Sequence, residues 1–80
     1  MFQEFVIEEK IMKVSARNAL KGTVKSIVTG AVNDEVIVEI SSGVEVTAII
    51  TKASAENLGL AVGKEVYAVI KSSDVMIAID

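Results

Sequence analysis

The 80-residue chain contains no cysteine and no histidine. Without cysteine there is no disulfide, thiolate metal site or thiol nucleophile, and without histidine the commonest transition-metal ligand and general base is missing. Most hydrolase and redox-metal mechanisms are excluded, and no activated nucleophile or base of near-neutral pKa can be assembled from the remaining inventory. The expectation is a protein that is not an enzyme and has no metal-ligand site of its own side chains. Aromatics are scarce, only Phe2, Phe5 and Tyr67, too few to stack bases as single-strand-binding sheets do. Basic residues are outnumbered, eight against eleven acids for a net charge of −3, so no concentrated cationic face is available to phosphates and nucleic acid is excluded as a partner. Long apolar runs are absent, and the first ten residues carry Glu4, Glu8 and Glu9 instead of a basic segment followed by an apolar one. No membrane span or secretory signal is expected, and the cytoplasm is the default location.

What is present is an excess of small and branched apolar side chains. Eighty residues allow one small domain, which buries a smaller fraction of its unfolded surface than a larger one. Yet 51% of the residues are hydrophobic, more than so small an interior holds. The surplus is assigned to a subunit interface, which predicts a homo-oligomer.

Leu20 to Val28 alternate, with Leu20, Gly22, Val24, Ser26 and Val28 on one side and Lys21, Thr23, Lys25 and Ile27 on the other, which predicts a strand. Val36 to Ile40 is a second β-branched run entering a tight turn at Ser41-Ser42-Gly43, and Val44 to Ile50 returns as a hairpin. Between Lys52 and Gly59 the pattern predicts one short helix, with Ser54 as cap and Gly59 as the left-handed stop. Glu65 to Lys71 and Val75 to Ile79 read as fourth and fifth strands around a turn at Ser72-Ser73-Asp74. Both are apolar on two faces, which again implies a partner subunit. The fold class expected is all-β, a small five-stranded antiparallel barrel of the oligonucleotide/oligosaccharide-binding (OB-like) kind with one short helix, assembled as an oligomer. The runner-up is a two-sheet sandwich formed across a dimer. Residues 1–11 differ in composition, being rich in Glu and carrying both phenylalanines. They are read as an N-terminal extension that adds little to function, with residues 12–80 as the domain proper. The other reading is an extra edge strand, Phe2 to Ile7, pairing with another subunit.

Ser15 and Arg17 precede the first strand pattern and Lys71-Ser72 lie near the other end, with no carboxylate interleaved among these donors. A hydroxyl, a guanidinium and an ammonium are what a pocket for a small oxyanion requires. Taken singly, Arg17 or Lys71 is more simply a solvated charge, and Ser72-Ser73-Asp74 a turn. Only their combination points to a site.

Ser15-Ala16-Arg17-Asn18 followed by Leu20-Lys21-Gly22, the hairpin through Ser42-Gly43, Thr47 to Thr51, Leu58-Gly59-Leu60 and the closing Ala68 to Met76 resemble the molbindins, or Mop domains. These are small bacterial molybdate- and tungstate-binding proteins, also called molybdenum-pterin-binding proteins. The resemblance runs from about Met12 to the C-terminus. It implies an OB-related barrel, a homohexamer built as a trimer of dimers, and molybdate or tungstate bound between subunits. By the same resemblance, Ser15 supplies its hydroxyl and the neighbouring amide of Ala16, Arg17 its amide or guanidinium, Lys71 the balancing charge, and Ser72 a hydroxyl and an amide. A second class of oxyanion site is implied at the backbone of Gly30, Ala31 and Val32, where the bare sequence suggests only a turn. The function implied is an intracellular oxyanion store. The alternative is an anion-responsive interaction or sensory module read by a partner protein. The chain carries neither a winged-helix segment nor a P-loop, which sets it with the stand-alone binders.

Overall fold

A computed structural model describes residues 3–7, 10–14 and 17–80, the first two stretches as backbone alone. Among these residues, six strands and one helix follow in order: β1 (Gln3–Ile7), β2 (Lys10–Val14), β3 (Asn18–Thr29), β4 (Asn33–Ser41), β5 (Val44–Thr51), α1 (Lys52–Asn57) and β6 (Glu65–Ile70), with a 3-10 turn at Ser72–Asp74. The strands form a two-stranded sheet, β1-β2, and a four-stranded sheet in the order β5-β4-β3-β6. The chain divides into two units, Leu20–Ala68 and the residues before and after it. The all-β class with one short helix is as expected.

In the Leu20–Ala68 unit, the core is made by Val24, Val36 and Val38, with Ile27, Ile40, Ile50, Leu60 and Val66 packed against it. Burial alternates along β4, where Asp34, Val36 and Val38 point inward. Such alternation is how a sheet with one covered face is built, each buried valine contributing about 1.5–3 kcal/mol. The alternation predicted for β3 holds through Gly22 and Val24 and then breaks. Val24 pairs with Val38 but Ser26 pairs with Ile37, so Lys25 is an extra residue in a β-bulge. The bulge reverses the phase: Ile27 joins the core while Val28 is exposed. Sequence alternation alone cannot register an inserted residue.

The β4–β5 hairpin turns where predicted. Gly43 takes a φ of 78°, a left-handed value that glycine adopts without a Cβ penalty. Helix α1 starts one turn earlier than its expected cap: Thr51 is the N-cap, and its hydroxyl accepts the Ser54 N–H at 3.1 Å. The helix ends at a left-handed Gly59, with Gly59 N–H donating to the Glu56 carbonyl and Leu60 N–H to the Ala55 carbonyl. This is a Schellman closure. Lys64 completes it by donating Nζ to the Leu58 and Gly59 carbonyls at 2.6 and 3.2 Å, a cation at the negative end of the helix.

In the other unit, β1 pairs antiparallel with β2, in a register running from Gln3↔Val14 to Ile7↔Lys10. The segment taken as an extension thus forms a strand whose partner is the next strand of its own chain. The fifth strand expected at Val75–Ile79 is not formed. That segment follows the 3-10 turn without ladder hydrogen bonds, leaving Met76, Ile77 and Ile79 at 92%, 86% and 93% exposure. β-branched composition makes a strand only where a neighbour takes the backbone groups.

Candidate functional site

β3 opens with Asn18, and its side-chain amide donates to the Ile70 carbonyl at the end of β6, 3.3 Å away. The two residues are 52 positions apart, so the bond is tertiary. Arg17 is the residue immediately before Asn18, and Lys71 the residue immediately after Ile70. The hydrogen bond therefore joins the chain at the two places where the sequence carries its oxyanion donors. It also satisfies a strand-end carbonyl that would otherwise need water.

Beyond Ile70, Lys71 leaves the strand with extended backbone and caps the 3-10 turn, the Asp74 N–H donating to the Lys71 carbonyl at 2.9 Å. Lys71 and Ser72 are exposed. Among the described residues, neither the Lys71 ammonium nor the Ser72 hydroxyl has a hydrogen-bond or ion-pair partner. Arg17 is also exposed. Ser15 and Ala16 lie outside the described residues. The arrangement is thus a guanidinium, an ammonium and a hydroxyl on two chain segments tied together by Asn18. Guanidinium, ammonium and hydroxyl groups are donors of the kind that hold small anions by charge-assisted hydrogen bonds. Among the described residues there is no cluster of three or more acidic side chains able to hold a metal ion.

The second expected locus, Gly30, Ala31 and Val32, is the turn between β3 and β4. Gly30 N–H is engaged within the turn, by the Asn33 carbonyl at 3.0 Å and by Asp34 Oδ1 at 3.3 Å. The Val32 carbonyl accepts from the Lys52 N–H at 2.8 Å, which fixes the turn to the start of α1. Asp34 is 5% exposed. It shares a cavity of about 580 Å³ with Ile27, Thr29, Lys52, Ala55, Glu56 and Leu60.

Asn18 and Asp34 were not singled out by sequence reasoning. Both act through a side-chain bond to backbone, one 52 residues away and one four residues away. The available signals were weak: a polar residue opening an apolar strand, and an aspartate at an inward-facing strand position.

An antiparallel all-β fold with paired donor segments at its two ends defines a class. Residues 14–77 match the TOBE domain, so the chain is a TOBE-domain protein. It is 53% identical over 66 residues to molybdenum-pterin-binding protein 3 of Clostridium pasteurianum, covering 82% of this chain and 97% of that protein. The solved structure of a molybdate-binding protein from Sporomusa ovata is similar with a TM-score of 0.79 at 37% identity, over 85% of this chain and all of that one. The molybdate-bound structure of ModG, described as a cytoplasmic molybdate-binding protein, matches with a TM-score of 0.75 at 51% identity, over 79% of this chain and 45% of that one. Within the class, then, the chain belongs to the molbindins, the family of the molybdenum-pterin-binding (Mop) proteins. The molybdenum transport protein ModE of Azotobacter vinelandii is also 53% identical, but the chain spans only 24% of its length.

Proposed function

We propose that this chain binds molybdate, or tungstate, reversibly as a cytoplasmic store or buffer and does not chemically change it. The observation that carries the reading is the Asn18–Ile70 hydrogen bond, because it joins the Arg17 and Lys71 ends of the donor set. In this reading Ser15, Ala16 and Arg17 contribute hydroxyl, amide and guanidinium donors, Lys71 balances charge, and Ser72 adds a hydroxyl and an amide. Residues 12–80 are the binding domain, and residues 1–11 an extension whose strand β1 pairs with β2. The names of the relatives, molybdate-binding and molybdenum-pterin-binding, support molybdate as the ligand. No helix of the described residues is long and apolar enough to cross a membrane.

The site is completed by other copies of the chain in a homohexamer, a trimer of dimers. Exposed charges on a single chain are screened by water and hold an anion weakly. A tight site needs a second wall that excludes solvent. The uncovered apolar side chains of Met76, Ile77 and Ile79 supply the surface that such assembly would bury. Fixed backbone amides from several subunits also select by size, which separates molybdate from the smaller sulfate of equal charge and shape.

Calorimetric titration of anion-free protein with molybdate and then with sulfate tests the reading. Molybdate heat with negligible sulfate heat is expected, whereas equal affinity for the two anions contradicts it. Light scattering checks the assembly, and a monodisperse monomer at micromolar concentration would overturn the interface argument.

A further inference from the structure

The turn between β3 and β4 carries backbone donors and a carboxylate at the same place. Ala31 and Val32 are exposed, and among the described residues their N–H groups donate to nothing. The third N–H of the turn, that of Gly30, points to Asp34 Oδ1 at 3.3 Å as well as to the Asn33 carbonyl. Asp34 is nearly inaccessible at 5% exposure, and no other described group hydrogen-bonds its carboxylate. The cavity it lines contains one further carboxylate, Glu56, and one ammonium, Lys52. No ion pair within 4.0 Å joins Lys52 to either acid among the described residues. The cavity beside the turn is therefore formally negative.

A buried carboxylate taking a backbone N–H is chemically a bound anion that the chain supplies to itself. A tetrahedral dianion arriving at the same turn would have to share Gly30 with that carboxylate, and the two like charges would repel at hydrogen-bond range. We infer that Asp34 is a specificity-determining residue that bars oxyanions from the β3–β4 turn and its cavity, so that this chain keeps a single class of oxyanion site, at the Arg17 and Lys71 end. The inference rests on the reading of the chain as an oxyanion binder. Its consequence is specific to Asp34: remove the charge, and an anion meeting the exposed Ala31 and Val32 donors no longer faces a carboxylate at Gly30.

The experiment compares the full-length wild type with Asp34→Asn and Asp34→Ala by calorimetric titration with sodium molybdate. Asp34→Asn keeps an oxygen to accept the Gly30 N–H, so the turn is retained and only the charge is lost. Wild type binds in one class of site. Both variants gain a second, weaker class, raising the molybdate bound per chain, while the affinity of the first class changes less than two-fold. Adding Lys71→Ala to Asp34→Asn weakens the first class and spares the second. Equal molybdate per chain in wild type and both variants overturns the inference, as does a wild type that already has two classes left unaltered by Asp34→Asn. If only the variants bind molybdate, the inference stands and the assignment of the first site falls. If none of the proteins binds, both fall.

Discussion

Asn18 and Ile70 are joined by a hydrogen bond from a side-chain amide to a backbone carbonyl across 3.3 Å, and each stands next to a cation in the sequence. The bond makes one locus of two segments that have no local reason to meet. Because it is a single neutral hydrogen bond, its loss destabilises the fold modestly, by about 1 kcal/mol. In the proposed site, where both segments hold the anion, its effect on binding is expected to be larger in proportion. Asn18→Ala is expected to weaken molybdate binding by roughly five- to ten-fold, with a small shift in melting temperature. Asn18→Asp sets a carboxylate against the Ile70 carbonyl and beside the anion, and is expected to bind less tightly than Asn18→Ala. Titration calorimetry paired with thermal melts separates the two effects.

Lys71 is exposed and makes no ion pair with a described residue, so the fold has little to lose with it. Lys71→Ala is expected to leave the melting temperature unchanged and to lower molybdate affinity by about ten- to a hundred-fold, the range of one lost charge-assisted hydrogen bond. An unchanged titration curve in this variant would place the anion elsewhere.

Lys25, the bulged residue of β3, extends across β4 to form an ion pair with Glu45 on β5. Glu45 stands directly opposite Glu39 in the β4–β5 register, a like-charge pairing that costs stability when unrelieved. The hydrogen bond and charge of Glu45, aided by Glu39, raise the Lys25 pKa above its ordinary value of 10.5. A raised lysine pKa means that the folded state holds the proton more tightly than the unfolded one. The stabilisation is therefore complete below about pH 10.5 and disappears as pH rises through the higher folded value. Both groups are substantially exposed, so the effect is small and screened by salt. The stability difference between wild type and Lys25→Met is expected to be flat from pH 7 to about 9.5 and to shrink above about 10.5, as followed by urea midpoints at low ionic strength.

Two glycines separate steric from conformational need. A Cβ on Gly22 would lie 2.6 Å from the Glu39 carbonyl oxygen and 2.8 Å from Val38 Cγ1, and the backbone oxygen has no freedom to retreat. Gly43 has open space around it but a φ of 78°. Gly22→Ala is expected to cost about 2–3 kcal/mol through overpacking against the neighbouring strand, and Gly43→Ala only about 1 kcal/mol. Asparagine at position 43 should recover part of the latter, because it tolerates left-handed backbone. Chemical denaturation of the three variants ranks them.

The hairpin at Ser41-Ser42-Gly43 and the helix between Lys52 and Gly59 could be read from sequence because turn and cap chemistry is local. What escaped was set by distant partners. Val75 to Ile79 has the composition of a strand but no described ladder, and Phe2 to Ile7 alternates too imperfectly to announce β1, which the register with β2 defines. In the proposed site, Arg17, Lys71 and Ser72 were recognisable as donors by residue type, and as a set only by their combination. Asn18 was not, since nothing in an Asn-Ala-Leu-Lys run indicates that its amide reaches position 70. Asp34 follows Asn33 just before a β-branched run, where the sequence marks only a turn; its burial and its contact with Gly30 are structural findings.

The bulge at Lys25 gives β3 two opposite phases of inside and outside along one strand. A saturation mutagenesis map of this strand should therefore change parity partway along. Substitutions at even positions, Gly22 and Val24, are poorly tolerated before the bulge, and after it the sensitivity passes to the odd position Ile27 while Val28 accepts polar replacements. Deleting Lys25 would straighten the ladder and carry Ile27 into the phase that the even positions hold, so the strand should tolerate loss of that one residue better than loss of either neighbour.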